Sequence, residues 1–169
     1  MALQLLSGQV YKLINYKYYK VIPIIDNQLQ ENSDMANGIN ILIAEDEENI
    51  ALALKLIITK DFEGAAVQVV SNGEEALDAI FETHFQLIIS DWNMPKMTGI
   101  DLLTELRKKD TTKNIPFLML TAREDVSSVM QALESGVTGY LTKPFEKQMV
   151  IDRVTQMLGL ATKPLKVSS

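Results

Sequence analysis

The chain has 169 residues, 47% hydrophobic and 22% charged, a net charge of −6 and a mean hydropathy of +0.05. That is the balance of a soluble α/β-sized domain, and with no cysteine it excludes both a disulfide framework and a thiolate metal site. No apolar run reaches the roughly 18 residues of a membrane span, no secretion signal opens the chain, and a pI near 4.8 argues against a phosphate-backbone binder; a cytoplasmic protein without direct nucleic-acid contact or membrane insertion is expected.

Composition shifts near residue 38. Four of the five tyrosines fall in "YKLINYKYY", while all five phenylalanines come later. Lys12, Lys17 and Lys20 are cancelled by Asp26, Glu31 and Asp34, so the acidic excess falls beyond residue 40. "QLQENSDMANG" is a polar linker ending at Gly38. Residues 1–38 form an extension with two readings. It is either an upstream addition, with Met35 as the start, or an arm that packs on the domain or pairs two chains.

Beyond the linker, apolar runs alternate with segments of 3.6-residue period. "INILIAED" reads as a strand and "EENIALALKLIITK" as a helix; "AAVQVV" and "NGEEALDAIFET" repeat the pair. "FQLIISD" is followed by "TGIDLLTELRKK", "IPFLMLT" by "VSSVMQALESG", and "TGYLTKP" by "EKQMVIDRVTQML". Gly136 is placed to end the fourth helix. "LLTELRKKD" reads as a solvated amphipathic helix with its basic end at the C-terminus. Strands separated by helices pair in parallel, and near-continuous apolar strands need cover on both faces. The expectation is a doubly wound α/β domain over 39–160, with helices on both faces of a five-stranded sheet and 161–169 as a tail.

Ligands of open parallel sheets bind beyond the carboxyl ends of the strands. Those ends carry Glu45 and Asp46, Asp91, Thr121 and Lys143. Three carboxylates, one hydroxyl and one ammonium would then converge. Carboxylates at close range require a compensating cation, and an oxygen-only donor set suits Mg²⁺ rather than zinc. Thr and Lys are suited to phosphoryl oxygens, so the pattern points to phosphoryl transfer onto a carboxylate, with Asp91 as the central acceptor.

"ILIAEDEEN", "LIISDWNMPKMTGIDLL", "FLMLTA" and "GYLTKPF" occur in order across 41–158 and resemble the signature elements of response-regulator receiver domains. "SDWNMP" with Tyr140 is most similar to the stand-alone chemotaxis members. The resemblance implies the flavodoxin-like strand order 2-1-3-4-5. It implies that Asp91 accepts a phosphoryl group from a sensor histidine kinase. Asp46, Asp91 and the backbone carbonyl of Asn93 would hold Mg²⁺, with Glu45 assisting through water in place of the commoner Asp. Lys143 would pair with the phosphoryl group, before a peptide bond to Pro144 that is typically cis. Thr121 and Tyr140 would form the switch, and Arg123 would lie where the lifetime of the phosphoryl group is tuned. The implied partners are the kinase, a downstream target protein (the flagellar motor switch in the chemotaxis case) and a phosphatase. The expected protein is a phosphoacceptor switch with slow self-dephosphorylation rather than an enzyme.

Two other classes are weaker. An aspartyl-phosphate phosphatase on a similar sheet needs a second Asp two positions after its nucleophile, and Glu48 stands there. A flavodoxin-type nucleotide site needs Ser, Thr and Gly amides after the first strand, where this chain has "EDEEN". Trp92 is expected to be a half-exposed loop aromatic. His84, the only histidine, is expected at the surface, opposite the site.

Overall fold

The computed structural model describes residues 38–122 and 126–160. Five strands alternate with five helices: β1 (Asn40–Ala44), α1 (Glu48–Asp61), β2 (Ala66–Val70), α2 (Gly73–Glu82), β3 (Leu87–Asp91), α3 (Gly99–Arg107), β4 (Phe117–Thr121), α4 (Val126–Glu134), β5 (Gly139–Thr142) and α5 (Lys147–Met157). The sheet is parallel throughout, in the order β2-β1-β3-β4-β5. This is the expected doubly wound architecture. The extension, the tail and Arg123 lie outside the described residues, apart from Gly38.

Side chains alternate across each strand, so one apolar run feeds two cores. Ile41 and Ile43 face α1 and α5 through Leu54, Ile58, Val150 and Val154. Leu42 and Ala44 join Ile88, Phe117 and Met119 against α2, α3 and α4. Every residue of β3 and β4 is buried, whereas the edge strand β2 is partly open. Register levels the carboxyl ends: Ala44 pairs with Ser90, Asp91 with Leu120 and Thr121 with Thr142. Sheet order and register together bring the candidate residues to one rim.

Local sequence fixes the helix ends around that rim. Asn72 caps α2 by accepting from the Glu75 N–H at 3.0 Å, and Glu75 in return accepts from the Ser71 N–H at 3.0 Å. Thr98, not Asp91, caps α3. Gly136 takes φ +82°, with its N–H donating to the Leu133 carbonyl and the Val137 N–H to that of Ala132. That is a Schellman ending, the reason glycine is needed there.

Two expectations are corrected. Trp92 is only 3% exposed, because its N–H donates to the Leu120 carbonyl and its own carbonyl accepts from the Gly99 N–H. These bonds fold the loop back and turn the indole into the α2–α3 core. Nor is the end of α3 wholly solvated. Lys108 and Lys109 are exposed, but Arg107 is half-buried and its Nε donates to the Gly136 carbonyl at 3.0 Å.

Candidate functional site

The rim is built by hydrogen bonds that carry the ladders one residue past the strands. The Glu45 N–H donates to the Val70 carbonyl at 3.0 Å, that of Trp92 to Leu120 at 2.8 Å, and that of Lys143 to Thr121 at 2.7 Å. The backbone beside each candidate side chain is therefore as fixed as the sheet. Gly99 closes the rim from below: a Cβ there would lie 2.1 Å from the Asp91 carbonyl oxygen. No other residue fits without displacing that backbone.

Glu45 and Asp91 are 2% and 6% exposed, and Asp46 faces solvent. One carboxylate oxygen from each of the three lies within 4.8 Å of the others. Lys143, across a cis peptide bond from Pro144, sends Nζ to Asp91 Oδ1 at 2.7 Å and Glu45 Oε2 at 2.8 Å. Asp91 Oδ2 accepts from the Asn93 N–H at 2.8 Å. Thr121, fully buried, ends the strand next to Asp91. Tyr140 is half-buried, pairs with Met119 and packs on the α2–α4 side.

Charge balance follows from this geometry. Burial raises the Glu45 carboxyl above the usual glutamate range; Lys143 opposes that shift and the Asp91 charge adds to it. Burial alone would lower the Lys143 pKa, yet its contacts with Asp91 and Glu45 outweigh that effect and hold it above the ordinary lysine value. One ammonium faces three carboxylates. Glu45 Oε2 meets it as a close charge contact but has no hydrogen bond of ordinary geometry. A buried carboxylate oxygen left in that state, in an all-oxygen cluster with a solvent-facing side, fits Mg²⁺ with its retained waters.

Glu47 is the N-cap residue of α1, and its Oε1 also lies 3.6 Å from Lys143 Nζ. Nothing in "EDEEN" separates a helix-facing from a rim-facing glutamate. His84 is exposed in the turn before β3, at the opposite pole.

A family model for the response regulator receiver domain matches residues 41–155. The chain belongs to the response-regulator receiver family. Among curated relatives, the transcriptional regulatory protein YkoG of Bacillus subtilis (strain 168) is 38% identical over 119 residues, covering 70% of this chain and 50% of its own. The chemotaxis protein CheY of Pseudomonas aeruginosa is 32% identical over 117 residues, covering 69% of this chain and 94% of its own. The match thus spans about half of one relative and nearly all of the other. A Francisella response-regulator receiver domain is similar in structure, with a TM-score of 0.66 at 34% identity, covering 72% of this chain and 98% of its own. The chemotaxis response regulator CheY4 of Vibrio cholerae has a TM-score of 0.66 at 28% identity, covering 71% and 98%. Among the described residues of the receiver, no helix is long and apolar enough to cross a membrane.

Proposed function

We propose that this receiver accepts a phosphoryl group on Asp91 from the phosphohistidine of a sensor kinase, and that the modification switches a protein-binding face. The observation that carries this reading is the suspension of Asp91 between Lys143 Nζ at 2.7 Å and the Asn93 N–H at 2.8 Å, beside Glu45 and Asp46. A carboxylate so held is presented to an incoming group without rotamer search.

In the transfer, an Asp91 oxygen forms a bond to phosphorus while the phosphorus–nitrogen bond breaks. The electron pair leaves on the imidazole nitrogen, and with the other ring nitrogen protonated the imidazole departs neutral. Asp46, Asp91 and the Asn93 carbonyl would hold Mg²⁺, with Glu45 behind them through water. When bound, the ion supplies positive charge against the phosphoryl oxygens. Lys143 is within reach to donate to one phosphoryl oxygen, and Thr121 is the hydroxyl donor at the adjoining strand end. Two charge-assisted hydrogen bonds of about 1.5–3 kcal/mol each approach the roughly 5.5 kcal/mol that inverts a two-state equilibrium. Tyr140, next to Thr121 on the same sheet face, follows inward and alters the surface of α4, β5 and α5. That surface meets the target protein. Slow self-dephosphorylation, with or without a partner phosphatase, resets it.

The setting is a cytoplasmic phosphorelay. A chemotaxis-type output, on the flagellar motor switch, is favoured by the match to 94% of the Pseudomonas CheY. A non-motility relay is favoured by the higher identity to YkoG. Incubation with an acyl phosphate and Mg²⁺ should label the protein stoichiometrically, and Asp91→Asn should remove the label. Full labelling of the variant, or multiple turnover of phosphomonoesters, would reject the reading.

A further inference from the structure

The pole opposite Asp91 holds a groove of about 350 Å³, within the range of about 300–1,000 Å³ in which pockets enclose a ligand. Ile39, Pro116, Met157 and Leu160 line it, and all four are half-buried. Ile39, Met157 and Leu160 pack on the α1–α5 core with one side and leave the other to the groove. The titratable side chains of its lining, His84 and Asp110, are exposed. Among the described lining residues no buried charge is offered to a small ionic ligand, so what the groove favours is apolar cover.

The groove lies where the receiver joins the rest of the chain. Ile39 directly precedes β1, Leu160 is the last described residue, and both line it. The entry is fixed, because the Ile39 carbonyl accepts from the Ala66 N–H at 2.8 Å. Gly38 takes φ +71°, and a Cβ there would lie 3.0 Å from the Gly64 carbonyl oxygen. Upstream of that anchor, "VIPII" at residues 21–25 is the longest apolar run outside 38–160. The intervening residues 26–37 number twelve, and a chain of that length reaches at most about 40 Å, enough to return to its own anchor. The tail is the poorer candidate, since its Leu165 and Val167 stand singly on either side of Lys166.

We propose that residues 21–25 dock in this groove, which makes the extension an arm that covers the receiver's far pole. The proposal does not rest on the phosphoacceptor reading. Tyr18 and Tyr19 precede the run, and their apolar rings with polar tips suit a lining that also carries the exposed Thr111 and Asn114. Strong intrinsic affinity is not required. A contact of about 0.1 mM between separate molecules is about nine-tenths closed at the roughly millimolar local concentration that a short tether supplies. Docking at this pole leaves the acceptor rim, at the other end of the sheet, uncovered.

The chain has no cysteine, so an introduced pair reports a single contact. In the full chain, Ile24→Cys with Thr111→Cys should form a disulfide under mild oxidation about tenfold faster than Ile24→Cys with Glu74→Cys, whose partner lies at the acceptor end. The product should be a monomer. Equal rates overturn the docking, and so do covalent dimers in place of that monomer, which would give the groove to a second copy. Amide exchange supplies a readout without cysteines. The Ile115 and Leu160 N–H groups donate to the Thr112 and Thr155 carbonyls beside the groove, each at 3.0 Å. Ile22→Asp with Ile24→Asp should speed their exchange about fivefold, with Ile41 to Ile43 unchanged. Unchanged exchange overturns the proposal, as does acceleration by Leu165→Asp in its place, which would assign the groove to the tail.

Discussion

Lys143 Nζ stands 2.7 Å from Asp91 Oδ1 while also holding Glu45 Oε2 at 2.8 Å, so one ammonium ties together two buried carboxylates. Lys143→Ala should slow acyl-phosphate labelling about 10- to 100-fold, the rate equivalent of one charge-assisted hydrogen bond. The same change removes a cation that competes with metal, so Mg²⁺ should bind several-fold tighter, as read by Trp92 fluorescence. Weaker Mg²⁺ binding would contradict this electrostatic account.

Metal addition makes a second prediction. A ligand that binds only the folded state at ten times its dissociation constant stabilises it by about 1.4 kcal/mol. The melting temperature of the wild type should rise with Mg²⁺ and return on chelation, while Asp46→Asn should need a markedly higher concentration for the same rise. An equal response of the two proteins would remove Asp46 from the donor set.

Gly99 makes a steric prediction. A methyl there meets the Asp91 carbonyl at 2.1 Å and Ser90 Oγ at 2.9 Å. Gly99→Ala should cost about 1–3 kcal/mol in denaturant unfolding, the usual penalty of overpacking, and should also slow labelling of Asp91. Full tolerance would mean that the loop is freer than its hydrogen bonds imply.

The α2 cap makes a pH prediction. The Glu75 carboxylate accepts from the Ser71 N–H, with Asn72 and the Ser71 hydroxyl adding to the effect, and these bonds hold its pKa below the ordinary glutamate value. A depressed folded-state pKa contributes stability that is present above the unfolded value and is lost as pH falls through the folded one. Glu75→Gln should therefore lower stability near neutrality and narrow its gap from wild type on acidification below the glutamate range. A constant gap across that range would remove Glu75 from the linkage.

Much of this was legible in the sequence because a parallel sheet converts sequence order into spatial order. Once "ILIAED", "LIISD", "FLMLT" and "GYLTKP" are strands, Glu45, Asp91, Thr121 and Lys143 can end only on one rim. Strand order came from the resemblance, since no local pattern encodes which strand lies beside which. Three details were illegible for physical reasons. Trp92 is buried by two backbone hydrogen bonds that leave no mark on hydropathy. Glu47 reaches Lys143 through a rotamer choice. Arg107 meets Gly136 across 29 residues, and in the basic run "RKK" it looks no different from its exposed neighbours.

The most direct measurement is chemical mapping of the modified side chain. An aspartyl phosphate is an acyl phosphate, and borohydride reduces it to homoserine in place. After incubation with acyl phosphate and Mg²⁺, reduction and peptide mass analysis should place homoserine at position 91 alone. Homoserine at position 46 only, 5-hydroxynorvaline at position 45 only, or no reduced residue in a protein that carries the label, would contradict the assignment of Asp91 as the acceptor.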